Sequence, residues 1–206
     1  MAPSSQELEP PQNPGRFKRL AGGAFSLHYV LLLAAATFPK ALFDHFDAQL
    51  ESFLFFYIFT KTPTKDLERN FSLWADELRA IAGVAEPMKQ RAALNAFVVD
   101  RFEKNMAAKS QELADALKRF SLYSMQQYRT RYLLARLTQH VDVAFSGLKS
   151  AGSLEPFTNL EIEHILPDTP TAALREKWAG ENPGASYDDY KNKLGNLTLL
   201  EKPINI

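Results

Sequence analysis

Cysteine is absent from this chain of 206 residues. That absence excludes a disulfide framework, a thiol nucleophile and any Cys-ligated zinc, so a metal held here must take oxygen and imidazole ligands. An excess of charge is missing too: 24 Lys and Arg offset 24 Asp and Glu, for a formal net charge of +0. The chain as a whole therefore lacks the basic signature of many nucleic-acid binders. Long apolar runs are also wanting. Val30 to Phe38 and Phe53 to Phe59 are closed by Pro39 and Lys61, well short of the roughly 18–20 residues that a membrane span needs, and both are read as buried helices. No Gly-rich phosphate loop is present, so nucleotide binding within this chain is not expected. Met1 to Pro14 lacks the basic-then-apolar order of a signal peptide; rich in Pro, Glu, Gln and Ser, it starts a flexible tail taken to span residues 1–18. A cytoplasmic setting is expected.

What is present is a hydrophobic fraction of 46%, enough for a sizeable core, and a helical pattern over more than half the length. Leu67, Phe71, Trp74, Leu78 and Ile81 recur at helical spacing on one face; Thr62-Pro63-Thr64 can start that helix and Gly83 can end it. Leu94, Phe97, Val98 and Phe102 mark another, entered through Glu86-Pro87. Leu113 to Phe120 makes a shorter one. Ser124 with Gln127 reads as a capping box ahead of Tyr128, Tyr132, Leu133, Leu137 and Val141, a long helix reaching about Phe145. With two N-terminal helices split at Pro39, residues 19–150 form a bundle of roughly five or six helices. Gly147 to Ser153 reads as a linker.

Beyond the linker the pattern changes to a small α+β module over residues 151–206, so the predicted fold is mainly α with a small mixed appendage. Leu160, Ile162 and His164 alternate with Glu161, Glu163 and Ile165 as a short strand ending at Pro167. A helical turn or two surrounds Trp178. Tyr187 to Lys193 reads as a short helix closed by Gly195, and Leu197 to Leu200 as a second strand. Pro203 suits the first turn of a further helix. This region is net acidic, with nine acids from Glu155 to Glu201 against Arg175, Lys177, Lys191, Lys193 and Lys202. Any attraction for phosphate must then come from a metal, from Lys118, Arg119, Arg129, Arg131 and Arg136, or from protein outside the chain.

One constellation carries chemistry: Glu163-His164-Ile165-Leu166-Pro167, then Leu194-Gly195-Asn196-Leu197-Thr198-Leu199-Leu200, then Asn205. Hydrolysing a phosphodiester needs an activated water, charge stabilisation on the phosphoryl oxygens and help for the leaving oxygen. A histidine near its ordinary pKa can take the proton from water. Neighbours on a regular strand point to opposite faces, so Glu163 and His164 can serve one site only if the strand ends in a bend, which Pro167 makes reasonable.

These residues, with Trp178, resemble the C-terminal nuclease part of the GmrSD-type restriction endonucleases, an HNH (ββα-metal) module. Leu54 to Leu78 and Arg129 to Leu137 resemble the helical segment that precedes it. The resemblance implies His164 as general base, Glu163 as a ligand of Mg2+ or Mn2+, Asn205 as a further metal ligand or a helix-borne site residue, and Asn196 as the residue holding the loop that orients the histidine. It implies DNA, including DNA with modified cytosine, as substrate, and an N-terminal NTP-using domain as partner. Asp168 stands where the family often has Gln, and the motif helix expected after Asn205 is missing before Ile206. The chain is therefore read as a fragment with a truncated HNH-like module.

Other residues have plainer readings. His28, His45 and His140 lie in helical apolar patterns and read as core or surface residues, not ligands. The aromatic run Phe53 to Phe59 reads as core or as an interface with the partner domain, since base-stacking platforms are usually interleaved with Arg and Lys. Arg129, Arg131 and Arg136 fit a solvated helix face as well as a phosphate contact. The alternative to a nuclease is a non-catalytic helical interaction module, a remnant whose apolar surfaces dock a partner.

Overall fold

The apolar repeat from Leu67 forms the expected helix, Lys65–Ala82, with Leu67, Phe71, Trp74 and Leu78 buried and Gly83 following its last turn. The structure is a computed structural model, and it describes Leu20 and residues 26–63, 65–147 and 153–202. The tail expected over residues 1–18, most of the expected linker, and Asn205 with the helix start at Pro203 lie outside the described residues. In chain order the helices are α1 His28–Ala34, α2 Lys40–Phe59, α3 Lys65–Ala82, α4 Pro87–Phe97, α5 Lys104–Ala108, α6 Ser110–Lys118, α7 Gln127–Ser146 and α8 Glu155–Thr158. Strand β1, Glu161–His164, helices α9 Ala172–Glu181 and α10 Tyr187–Lys191, and strand β2, Leu197–Leu200, complete the elements among the described residues. The fold is mostly helical with one small antiparallel two-stranded sheet. No helix among the described residues is long and apolar enough to cross a membrane.

Contacts divide the chain into two compact units, Met1–Leu113 and Ala114–Ile206. This division groups α7 with the strands, whereas the sequence reading placed it with the preceding helices.

In the first unit, Pro39 sits at the N-cap of α2, where a missing N–H costs nothing, and its carbonyl accepts from Leu42 and Phe43. The helix ends as Lys61 turns to φ 53, with the Thr62 amide reaching back to the Tyr57 carbonyl. Helix α1 packs on α3 and buries Leu31 and Ala34. Its other side departs from the expected buried helix: Leu33 is 74% exposed, because a helix against one neighbour can bury only one stripe. The run Phe53 to Phe59 does go inward, with Phe53, Leu54, Tyr57 and Phe59 buried. Phe53 stacks on Phe102 at 4.7 Å and meets Trp74 edge-on at 5.5 Å, while Phe97 meets Phe102 edge-on at 5.5 Å. Phe97 and Phe102 are five residues apart. The helix entered at Pro87 accordingly loosens into a π-helical stretch, Val98–Glu103, and buries Phe97, Val98 and Phe102 on one broad face. Gln90, buried on α4, donates to the Ile81 and Ala82 carbonyls and so satisfies the end of α3.

In the second unit the expected capping box is displaced. Ser124 accepts from the Ser121 amide at 2.9 Å and closes a 3-10 turn, Leu122–Ser124, while α7 begins at Gln127 with no side-chain cap. It runs to Ser146 and ends on Gly147 at φ 66, the left-handed position that glycine adopts without strain. Helix α7 packs against α8 and β2, and β2 buries Leu197 and Leu199.

The aromatic cluster sets the stability expected of the first unit. Phe102→Ala should cost about 3–5 kcal/mol, read from urea unfolding, because a fully buried ring is removed from a packed cluster. Burial pushes His28 down to about 4. Its folded pKa lies below its unfolded value, so the stability it confers is present above the unfolded pKa of about 6.5 and is lost as pH falls towards 4. His28→Phe should flatten the pH dependence of stability across that interval.

Candidate active site

The strands bring together parts of the motif that lie thirty residues apart. They pair antiparallel, with Glu161 opposite Leu200, Ile162 opposite Leu199, Glu163 opposite Thr198 and His164 opposite Leu197. Residues opposite one another share a face. His164 therefore shares the side of the buried Leu197, and Glu163 lies on the side of Thr198. Regular pairing stops at His164, and Ile165 and Leu166 turn the chain before Pro167. This bend follows both residues and leaves Glu163 and His164 on opposite sides of the ribbon, so it does not by itself bring the two together as expected.

Asn196 holds that bend. Gly195 does not cap α10 as expected, since α10 ends at Lys191 and Gly195 lies inside a 3-10 turn, Leu194–Asn196, that delivers Asn196 to the start of β2. The Asn196 side chain is 4% exposed. Its Oδ1 accepts from the Leu166 amide at 2.8 Å, and its Nδ2 donates to the Leu166 carbonyl at 3.1 Å and to the Lys191 carbonyl at 2.7 Å. The Asn196 carbonyl accepts from the Ile165 amide at 2.9 Å. One side chain thus satisfies both backbone groups of Leu166, two residues past His164, and ties them to the end of α10.

The histidine ring has a partner that sequence reasoning missed. Asn192, also buried, places Oδ1 3.3 Å from His164 Nε2. The signal available was the pair of asparagines four residues apart, Asn192 and Asn196, of which only the second resembled a motif.

Past the bend, Tyr187 donates its hydroxyl to the Pro167 carbonyl at 2.8 Å and packs edge-on against Trp178 at 5.4 Å. The helix carrying Trp178, α9, is longer than the turn or two expected, because Thr171 caps it by accepting from Leu174. Lys191 reaches the Asp168 carboxylate at 2.8 Å and that of Asp188 at 3.4 Å, and Arg175 holds Asp188 at 3.1 Å. The Lys191 ammonium, with a smaller contribution from His164, holds the Asp168 carboxyl below the usual carboxylate range. Arg175 and then Lys191 do the same for Asp188, and Asp168 raises Lys191 in turn.

Two of the few cations of this acidic region are therefore committed to local carboxylates. Among the cations expected to meet phosphate, Arg136 bonds the Tyr132 hydroxyl and Gln139, and Arg129 lies over the Tyr128 ring. His140 is exposed and His45 half-buried. No group of three His, Asp or Glu side chains among the described residues could hold a metal ion; Glu163 is the one expected ligand that the structure describes.

Residues 107–206 match the model of the GmrSD restriction endonucleases, C-terminal domain. No curated protein and no solved structure matches the chain. The domain is thus of a restriction endonuclease type, and the residues quoted for the resemblance in β1, β2 and the turn before β2 all fall inside the matched segment.

Asn196→Ala would leave the Leu166 amide, the Leu166 carbonyl and the Lys191 carbonyl without this partner. It should destabilise the second unit by about 2–4 kcal/mol in chemical unfolding and speed hydrogen exchange at Leu166. Removing the cation in Lys191→Met should raise the Asp168 titration midpoint towards about 3.9, followed by carboxyl NMR. Because the folded-state values of Asp168 and Asp188 are depressed, the stabilisation they confer is present above the unfolded carboxylate pKa and lost as pH falls through the folded one. The variant should lose part of that acid sensitivity.

Proposed function

We propose that this chain carries the nuclease site of a metal-dependent DNA endonuclease of the HNH type, acting in a modification-dependent restriction system beside an NTP-using domain. The observation that carries the proposal is the Asn196 side chain bound to both backbone groups of Leu166, just after His164 at the end of β1. The bend after the His and the Asn opening the next strand are joined here by hydrogen bonds, in the segment that matches a restriction-endonuclease family.

In this reading His164 takes the proton from the attacking water. His164 is half-buried at the end of a strand, and the Asn196 bonds keep the backbone just beyond it from shifting. Glu163 and Asn205 would hold the ion, an oxygen ligand set suited to Mg2+ or Mn2+. When bound, such an ion supplies charge stabilisation on the phosphoryl oxygens. The acidic surroundings repel DNA, so α7 and its arginines are the cationic surface proposed to meet the phosphates. A second reading, a helical interaction module, is favoured by the apolar side chains left outward, among them Leu33 at 74% and Phe145 at 88% exposure.

Plasmid nicking with Mg2+ or Mn2+ separates the two. The nuclease reading expects metal-dependent nicking that drops about 10²–10⁴-fold in His164→Ala, and Mn2+ binding, followed by calorimetry, that weakens in Glu163→Ala. Nicking that survives His164→Ala, or that needs no metal, would contradict it. A folded chain that neither nicks nor binds Mn2+ supports the interaction module.

A further inference from the structure

We infer that Asn192 is a positioning residue that fixes the tautomer and plane of the His164 ring, an inference that rests on the proposed role of His164 as base. Its side-chain amide is oriented at both ends. Nδ2 donates to the Asp188 carbonyl one turn back in α10, at 3.3 Å, which leaves Oδ1 facing the ring, 3.3 Å from Nε2. An amide oxygen can only accept. A neutral imidazole meeting it must carry its proton on Nε2, which keeps the Nδ1 lone pair free to take a proton from water.

The backbone of Asn192 is anchored apart from its amide, because its carbonyl accepts from the Leu122 amide at 2.9 Å. Residue 192 is thus held in place whatever side chain it carries. Asn192 as a residue is buried, 7% exposed, which limits the water that can compete for the contact. The two asparagines have separate tasks: Asn196 fixes the backbone beyond His164, and Asn192 fixes its ring. A general base gains from such a partner, because only one ring nitrogen can face the water and the hydrogen bond at the other selects which.

The test is the tautomer itself, read from long-range ¹H–¹⁵N correlation spectra of the whole chain with labelled histidine, at a pH where imidazole is neutral. His164 is assigned by its loss in His164→Gln. The wild-type spectrum should show His164 protonated on Nε2. Asn192→Leu should lower the ratio of the Nε2–H to the Nδ1–H form about fivefold, the equivalent of one ordinary hydrogen bond. Asn192→Asp keeps an acceptor towards the ring and should retain the Nε2–H form. Nicking by Asn192→Leu should fall in kcat with KM little changed.

A wild-type ring protonated on Nδ1, or a ratio unmoved in Asn192→Leu, overturns the inference whatever the activity. The wild-type spectrum by itself can overturn the inference, whereas support comes from the changed ratio in a folded Asn192→Leu. Loss of nuclease activity throughout, with the expected tautomers in place, would instead count against His164 as base.

Discussion

A peptide group drawn partly out of water needs hydrogen-bonding partners, and the small sheet depends on how one such need is met. The Leu166 amide and carbonyl belong to no strand or helix, yet they sit where the chain leaves β1. The Asn196 side chain meets both and reaches the Lys191 carbonyl as well. An amide suits this task because it offers an acceptor and two donors on one plane, which neither a carboxylate nor a hydroxyl can do. Because the contact spans thirty residues, it sets the register of β1 on β2, the direction of the chain after His164 and the end of α10 together. Few alternatives satisfy the same groups, so the arrangement is well specified.

The ion pairs around it are of another kind. Lys191 with Asp168 and Asp188, and Arg175 with Asp188, connect solvent-facing carboxylates, and such pairs add little stability in water. Their effect is on charge. They keep the Asp168 carboxyl ionised and near a cation, and they withdraw two positive groups from any phosphate that approaches. The buried contacts of Tyr187, with its hydroxyl on Pro167 and its ring against Trp178, hold the same loop without that dependence on salt.

Much of the helical architecture was legible because its signals are local. The apolar repeat in α3, Pro39 and Pro87 at helix starts, and the reach of α7 all follow from side-chain spacing and backbone stereochemistry. Misreadings arose where the deciding partner was distant or ambiguous. Ser124 offered a plausible cap for α7, but Ser121 took it. Gly195 looked like a helix terminator, but the turn it occupies is set by where Asn196 must go. The outer side of α1 is as apolar as its inner side, and only the position of α3 shows which side is covered.

For the candidate site, the sequence by itself determined the residue types and their order: an acid, a histidine, a nearby proline, and an asparagine before a short apolar strand. Those follow from composition and spacing, which are properties of the chain alone. The tertiary structure alone decided that Glu163 and His164 take opposite sides of the ribbon, that Asn196 bonds the Leu166 backbone, and that Asn192 and not some other acceptor faces the histidine ring. Each of these joins groups far apart in sequence through hydrogen bonds whose geometry exists only after the strands have paired, and no local pattern encodes such a pairing.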